Sequence, residues 1–291
     1  MVDQQDISIT LPNGRDIRAT LFQPNKEDCI GAVMIGPATG IKRRFYAPFA
    51  EYLAENHYGV VTYDNQGIGD SLVEPIRKSK VTLQDWGYDD MPAVLEELEL
   101  RFPDTHYHLL GHSAGGQLIG LMHNWEKLTS VFNVACSSGR VKNMNFPFVL
   151  QANFLMRIFM PLSNALFGFS QTQWLGLGEP LPKAVGKQWS QWCLGKGYVK
   201  TAFGKTVHRH WFDGVDLPSQ WINAKDDDIA IDANVQDMLE VFPKMSAQRL
   251  TLNPPDHGLK AIGHMKFFSR KSKVLWPLAL EWLGTFSEGK K

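Results

Sequence analysis

The stretch His108-Leu109-Leu110-Gly111-His112-Ser113-Ala114-Gly115-Gly116 decides how this chain is read. An apolar run leads straight into Gly-x-Ser-x-Gly, and small residues suited to a helix start follow. In that setting the serine sits on a tight strand-to-helix turn. Its hydroxyl projects beyond the sheet edge, and the next amide faces any anion formed there. Gly111 and Gly115 are required because a β-carbon at either place would meet the neighbouring strand or helix. The five-residue pattern alone is weak; the strand before it and the helix start after it give it weight.

Working outward, Ile30–Ile35, Val60–Tyr63, Tyr107–Leu110 and Val131–Ala135 are short apolar runs that fit strands of a buried sheet. Helical patterns lie between them over Phe45–Asn56 and Leu83–Arg101. Pro92 predicts a break in the second, with Asp89 or Asp90 capping a new start. A helix is expected over Ala114–Trp125. Asp6–Leu11 and Arg15–Phe22, joined across Pro12-Asn13-Gly14, read as an antiparallel hairpin. Strand signals vanish from about Arg140 to Asp213. They resume with Gln220–Ala224, a helix over Asp232–Phe242, a strand over Gln248–Leu252 and a last helix over Lys273–Phe286. The expected class is α/β: a mostly parallel, doubly wound sheet with an N-terminal antiparallel hairpin. Its core is 1–139 and 214–291, and a mainly helical cap is inserted over 140–213.

The 30 Lys and Arg residues balance 30 Asp and Glu over 291 residues, so the formal net charge is zero. Neutrality removes the electrostatic reason to expect nucleic acid or an anionic membrane surface as the main partner. Cys29, Cys136 and Cys193 are scattered, which suggests reduced thiols and a cytoplasmic location. The polar start, Met1–Asp6, shows no secretory signal. Phe146–Phe169 carries one charge, Arg157, but within it Pro147 and Pro161 bracket a segment of barely helical length, and polar residues interrupt it. A buried or interface-facing helix is expected there, without stable membrane insertion.

Beside the Ser113 turn, Ala224-Lys225-Asp226-Asp227-Asp228-Ile229-Ala230 offers an acid after the next-to-last strand, and Ile262-Gly263-His264-Met265 offers a histidine before the last helix. In these three segments the chain resembles the α/β-hydrolase superfamily over nearly its whole length. The order Ser…Asp…His is that superfamily's own. The resemblance implies a nucleophile elbow at Ser113, Asp227 as the acid and His264 as the base. It also implies an oxyanion hole from the amides of Ala114 and Ala38, the latter in the loop after the Ile30–Ile35 strand. Asp226 is the alternative acid, His257 the competing histidine, and Thr39 the donor if the loop is shifted by one. Gly36-Pro37-Ala38-Thr39-Gly40, the Trp189–Trp192 segment and Gly263-His264-Met265-Lys266-Phe267-Phe268 are further similar to a bacterial group of α/β-hydrolases of undefined substrate.

The chemistry of these residue types agrees. A serine hydroxyl is a poor nucleophile at neutral pH and needs a base within hydrogen-bond reach. A histidine can take that proton and return it to the leaving group, while a carboxylate at its other ring nitrogen fixes the tautomer. The expected reaction is two-step acyl transfer to water through a Ser113 acyl-enzyme. An aromatic-rich 140–213 favours a small-molecule ester or thioester with an apolar acyl group. An acyltransferase or amidase would share the triad, and a non-catalytic ligand-binding protein would share the fold. No cofactor or metal is required, and the oligomeric state is not readable.

Other motifs are weaker. Asp64–Ser71 has Gly-x-Gly, but Leu72 stands where a dinucleotide fingerprint needs its third glycine. His106/His108 and His208/His210 face one side of a strand with no third ligand. Lys42-Arg43-Arg44 reads as a solvated helix start or a contact for an anionic substrate end.

Overall fold

A computed structural model of the chain describes residues 2–24 and 29–287. Met1, 25–28 and 288–291, all inside the expected core, lie outside the described residues. The strands are β1 (Asp3–Thr10), β2 (Asp16–Gln23), β3 (Gly31–Gly36), β4 (Tyr58–Tyr63), β5 (Tyr107–His112) and β6 (Ser130–Val134). After them come β7 (Phe169–Ser170), β8 (Leu181–Pro182), β9 (Pro218–Ala224) and β10 (Ser246–Leu252). Eight form one sheet in the order β1-β2-β4-β3-β5-β6-β9-β10; β7 and β8 pair separately. The β1–β2 and β2–β4 pairs are antiparallel, and every pair from β4 to β10 is parallel. This is an α/β-hydrolase architecture.

The pattern of side chains explains the order. Every residue of β3, β4 and β6 is buried, as continuous apolar runs between two helical layers require. Each fully buried valine, leucine or isoleucine on them contributes about 1.5–3 kcal/mol by leaving water. β1 and β10 are mostly exposed and close the two edges. The chain runs from β3 to β4 on one side and then crosses to β5 on the other. Gly36 and Gly111 are therefore paired at the ends of adjacent strands, and the loop after β3 faces the turn after β5. Such a reversal opens a crevice at the carboxyl edge of the sheet.

Two helical expectations need correction. Pro92 does not break its helix: Leu83–Asp85, a π-helical turn Trp86–Asp90 and Met91–Arg101 follow one another without a loop. The wider turn accommodates the missing N–H and the bulk of the ring. Asp90 does not cap; its side chain accepts the Gln66 backbone N–H at 2.8 Å and the Gln66 side-chain amide at 2.7 Å. The device recurs over 148–167, where the π turn Leu155–Phe159 precedes Met160 and Pro161 as Trp86–Asp90 precedes Met91 and Pro92.

The helix expected over Ala114–Trp125 is one turn, Ala114–Gln117, followed by a 3₁₀ turn Ile119–Leu121. Glycine-rich sequence favours helix weakly. The returning chain also takes the space: Trp211 donates its N–H to the Gly120 carbonyl at 2.7 Å, and the Phe212 ring lies against Gly120.

Between β6 and β9 the chain leaves the sheet and forms the helical run 148–167, the β7–β8 pair and helix Lys183–Leu194. Glu179 ties this segment to the loop after β3. Its N–H donates to the Gly40 carbonyl at 2.8 Å, and its carboxylate meets Lys42 Nζ at 2.8 Å. Among the described residues no helix is long and apolar enough to cross a membrane.

Candidate active site

Ser113 has φ 49° and ψ −114°, a conformation that costs a non-glycine residue about 1–3 kcal/mol. Close packing holds it there. A β-carbon on Gly115 would lie 2.0 Å from the Gly36 carbonyl oxygen, and one on Gly111 would lie 2.4 Å from the Gly116 Cα. Backbone therefore touches backbone on both sides of the serine. The Ser113 N–H donates to the Val134 carbonyl at 3.0 Å, which fixes the turn to β6.

The structure brings Ser113, Asp227 and His264 together. His264 Nε2 lies 3.1 Å from Ser113 Oγ, and His264 Nδ1 lies 2.9 Å from Asp227 Oδ2. Asp227 sits in the turn after β9, buried, and its Oδ1 accepts the N–H groups of Ile229 and Ala230 at 2.8 Å each. Burial alone would raise this carboxyl. The facing His264 and the two amides outweigh it and hold it below the ordinary carboxylate value. A carboxylate so held keeps the proton of the imidazole on Nδ1 and leaves Nε2 toward the serine.

Asp226, the alternative acid, is exposed and turned the other way. Its two oxygens accept the N–H groups of Ile262 and Gly263 at 2.9 Å each, so it pins the loop that carries His264. His257 lies in the 3₁₀ turn Pro254–His257 and is not among the residues of the cavity described below.

The expectation for Ala38 is corrected. Its N–H already donates to Tyr46 Oη at 2.9 Å inside the protein. Thr39, the alternative, lines the cavity and its N–H has no hydrogen-bond partner among the described residues; the same holds for Ala114 N–H. The reason lies in two residues that the motif reading missed. His112 Nε2 is 2.9 Å from the His264 carbonyl and must donate to it, so Nδ1 accepts from Tyr46 Oη–H at 2.8 Å. Burial first, and His264 second, pull His112 down to about 3, so the ring stays neutral; burial pushes the Tyr46 phenol well up. Ala38, Tyr46, His112 and His264 thus form one buried hydrogen-bonded strut between the two loops that flank Ser113. His112 could have been singled out as a polar residue ending an apolar strand. Tyr46 carried no signal.

The basic cluster does not reach the cavity. Arg43 is buried against Asp64 at 2.6 Å and Asp70 at 2.7 Å, Arg44 pairs with Asp70, and Lys42 with Glu179. His108 binds Ser130 and Ser287 through its two ring nitrogens, and His210 stacks on Phe203. Among the described residues no group of three or more His, Cys, Asp or Glu is arranged to hold a metal.

Above Ser113 opens a cavity of about 760 Å³, with Met144, Phe148, Leu155, Met156, Trp189 and Ile229 in its wall. Cys193 also lines it, but burial pushes that thiol up to about 12, so it stays protonated.

A family model described as serine aminopeptidase, S33, matches residues 27–173, half of the chain. The chain belongs to the serine aminopeptidase S33 family. The S33 match spans the loop after β3 and the Ser113 turn; Asp227 and His264 lie beyond it and rest on the geometry above. No curated protein matches the sequence. Solved structures do match its shape. An esterase from Thermogutta terrifontis shares 15% identity at a TM-score of 0.62, covering 97% of this chain and 99% of its own. A carboxyl esterase from Bacillus coagulans shares 12% at 0.65, covering 99% and 100%. The Pyrococcus furiosus esterase Pf2001 shares 14% at 0.63, covering 98% and 94%. At such identities the likeness shows the fold, and this S33 member is a hydrolase of that fold.

Proposed function

We propose that this chain hydrolyses a neutral carboxylic ester or thioester with an apolar acyl group, through an acyl-enzyme on Ser113. The observation that carries the reading is the 3.1 Å approach of His264 Nε2 to Ser113 Oγ, with a buried carboxylate behind the imidazole. In the first step Ser113 Oγ gives its proton to His264 Nε2 and attacks the acyl carbon. The oxyanion takes hydrogen bonds from the N–H groups of Ala114 and Thr39. His264 then passes the proton to the leaving alkoxide or thiolate. In the second step water gives a proton to His264, its oxygen attacks the acyl carbon, and the proton returns to Ser113 Oγ as the acid departs.

The cavity wall supports an ester over the peptide substrate that the family's name suggests. An aminopeptidase must hold a free α-ammonium, for which a carboxylate is the ordinary partner. Among the described residues no Asp, Glu, Lys or Arg lines the cavity, and its wall is mainly aliphatic, aromatic and thioether groups. Such a space suits an uncharged acyl or aryl group.

An active-site-directed fluorophosphonate tests the reading. Wild-type protein should be labelled on Ser113 and Ser113→Ala should not. Absence of labelling of the folded wild type, or labelling elsewhere, would overturn it in favour of a binding protein. Acyl esters and thioesters of graded length then set the preference.

A further inference from the structure

The helical run 148–167 has an apolar face that the protein leaves uncovered. Leu150, Phe154, Ile158, Leu162 and Leu166 recur every fourth residue, and each is more than half exposed. The opposite face, with Ala152, Met156 and Met160, is buried. Trp174, also more than half exposed, lies in the 3₁₀ turn that follows β7. Single exposed apolar residues are normal, but a continuous row is a contact surface.

Three observations choose what covers it. First, the row begins at the mouth of the cavity, since Leu150 and Phe154 belong to both. Second, its far half borders a groove lined by Arg157, Lys183 and Lys187, none of which forms an ion pair among the described residues. Third, the charge of the chain is segregated. Residues 140–213 hold nine Lys and Arg against only Glu179 and Asp213, in a chain whose formal net charge is zero. Chain-wide neutrality conceals a cationic segment over an acidic core.

We infer that this face docks the protein peripherally on an anionic lipid surface, with the leucine and phenylalanine row in the headgroup boundary and the cations among the phosphates. A second copy of the chain is disfavoured as the occupant, because two such cationic segments would repel. A bilayer accepts an apolar row of any shape and attracts its basic border. The docked orientation turns the cavity mouth toward the acyl chains. That last point rests on the hydrolytic reading; the docking does not.

Sedimentation with vesicles tests it, using the full chain. Wild-type protein should partition onto phosphatidylcholine vesicles containing phosphatidylglycerol at least about tenfold more strongly than onto phosphatidylcholine alone, and salt should reduce the difference. The variant Ile158→Ser/Leu162→Ser/Leu166→Ser should lose about tenfold in partitioning while cleaving a soluble ester at the wild-type rate. Lys183→Glu/Lys187→Glu should lose the preference for the anionic lipid. Failure of the wild type to bind either vesicle overturns the proposal. So does binding that neither variant changes, or a wild-type dimer that the serine variant abolishes. Should the serine variant not fold, the lipid, salt and lysine comparisons decide the matter. Docking without hydrolysis would remove the proposed reaction and leave this surface standing.

Discussion

Asp226 and Gly263 are joined by a 2.9 Å hydrogen bond from backbone to carboxylate, and the neighbouring N–H of Ile262 donates to the other oxygen. Two adjacent acids thus divide the labour around one histidine: Asp227 touches the ring and Asp226 holds the loop.

Asp227→Asn should therefore cut kcat on a soluble p-nitrophenyl ester by on the order of 10⁴-fold, because the ring loses its tautomer and its counter-charge. Asp226→Asn keeps one acceptor and loses about 1 kcal/mol of loop restraint, a cost below about tenfold. Steady-state kinetics on both variants decide; the reverse ranking would move the acid.

Ser113 carries its strain whatever the side chain, unless the β-carbon goes. Ser113→Gly should be about 1 kcal/mol more stable to urea than Ser113→Ala, though both are inactive. Equal midpoints would mean that the φ of 49° costs nothing.

The strut predicts an acid sensitivity. His112 is held down to about 3 by burial, with His264 adding to it, against an ordinary 6.5. Between those values the unfolded chain binds a proton that the native ring refuses. The contribution of His112 is complete above about pH 6.5 and declines as pH falls through the window, by about 1.4 kcal/mol per pH unit. Asp227, depressed in the native state, adds its own loss only below the ordinary carboxylate range. His112→Asn should flatten the stability curve across that window by about one proton, measured by urea unfolding at stepped pH. An unchanged slope would remove the buried neutral ring from the account.

Tyr46→Phe should leave the Ala38 N–H and His112 Nδ1 without their partner inside the protein. The expected cost is about 1–3 kcal/mol of stability together with a fall in kcat, since the donor loop loses its anchor. Urea unfolding and ester kinetics read the two effects separately.

Trp189 is a wall of the cavity. Trp189→Ala should shift the preferred acyl group toward longer chains and leave acetyl-ester turnover within about threefold of wild type. A uniform fall across chain lengths would place the ring in a structural role alone.

The parallel sheet was legible because its central strands are unbroken apolar runs, and the elbow because its glycines are fixed in number and spacing. Local patterns served less well where distant chain intervenes. Pro92 and Pro161 read as breaks, since a π turn leaves no signature in hydrophobic spacing. The helix after Ser113 read as long, because nothing near Gly120 announces that Trp211 and Phe212 will pack there. Ala38 read as a donor because Tyr46, which takes its N–H, enters from the next helical segment. Lys42, Arg43 and Arg44 looked free because their partners, Asp64, Asp70 and Glu179, come from two other loops. The uncovered row over 148–167 was visible as apolar sequence, but which of its faces is covered depends on the folded chain.

The contact of Gly36 with Gly115 has a consequence for how this protein can change. The seat of the Ser113 hydroxyl is set by two main chains resting against each other, with no side chain between them to be swapped. Replacements among the side chains that line the cavity can reshape what it admits; they have no lever on that seat.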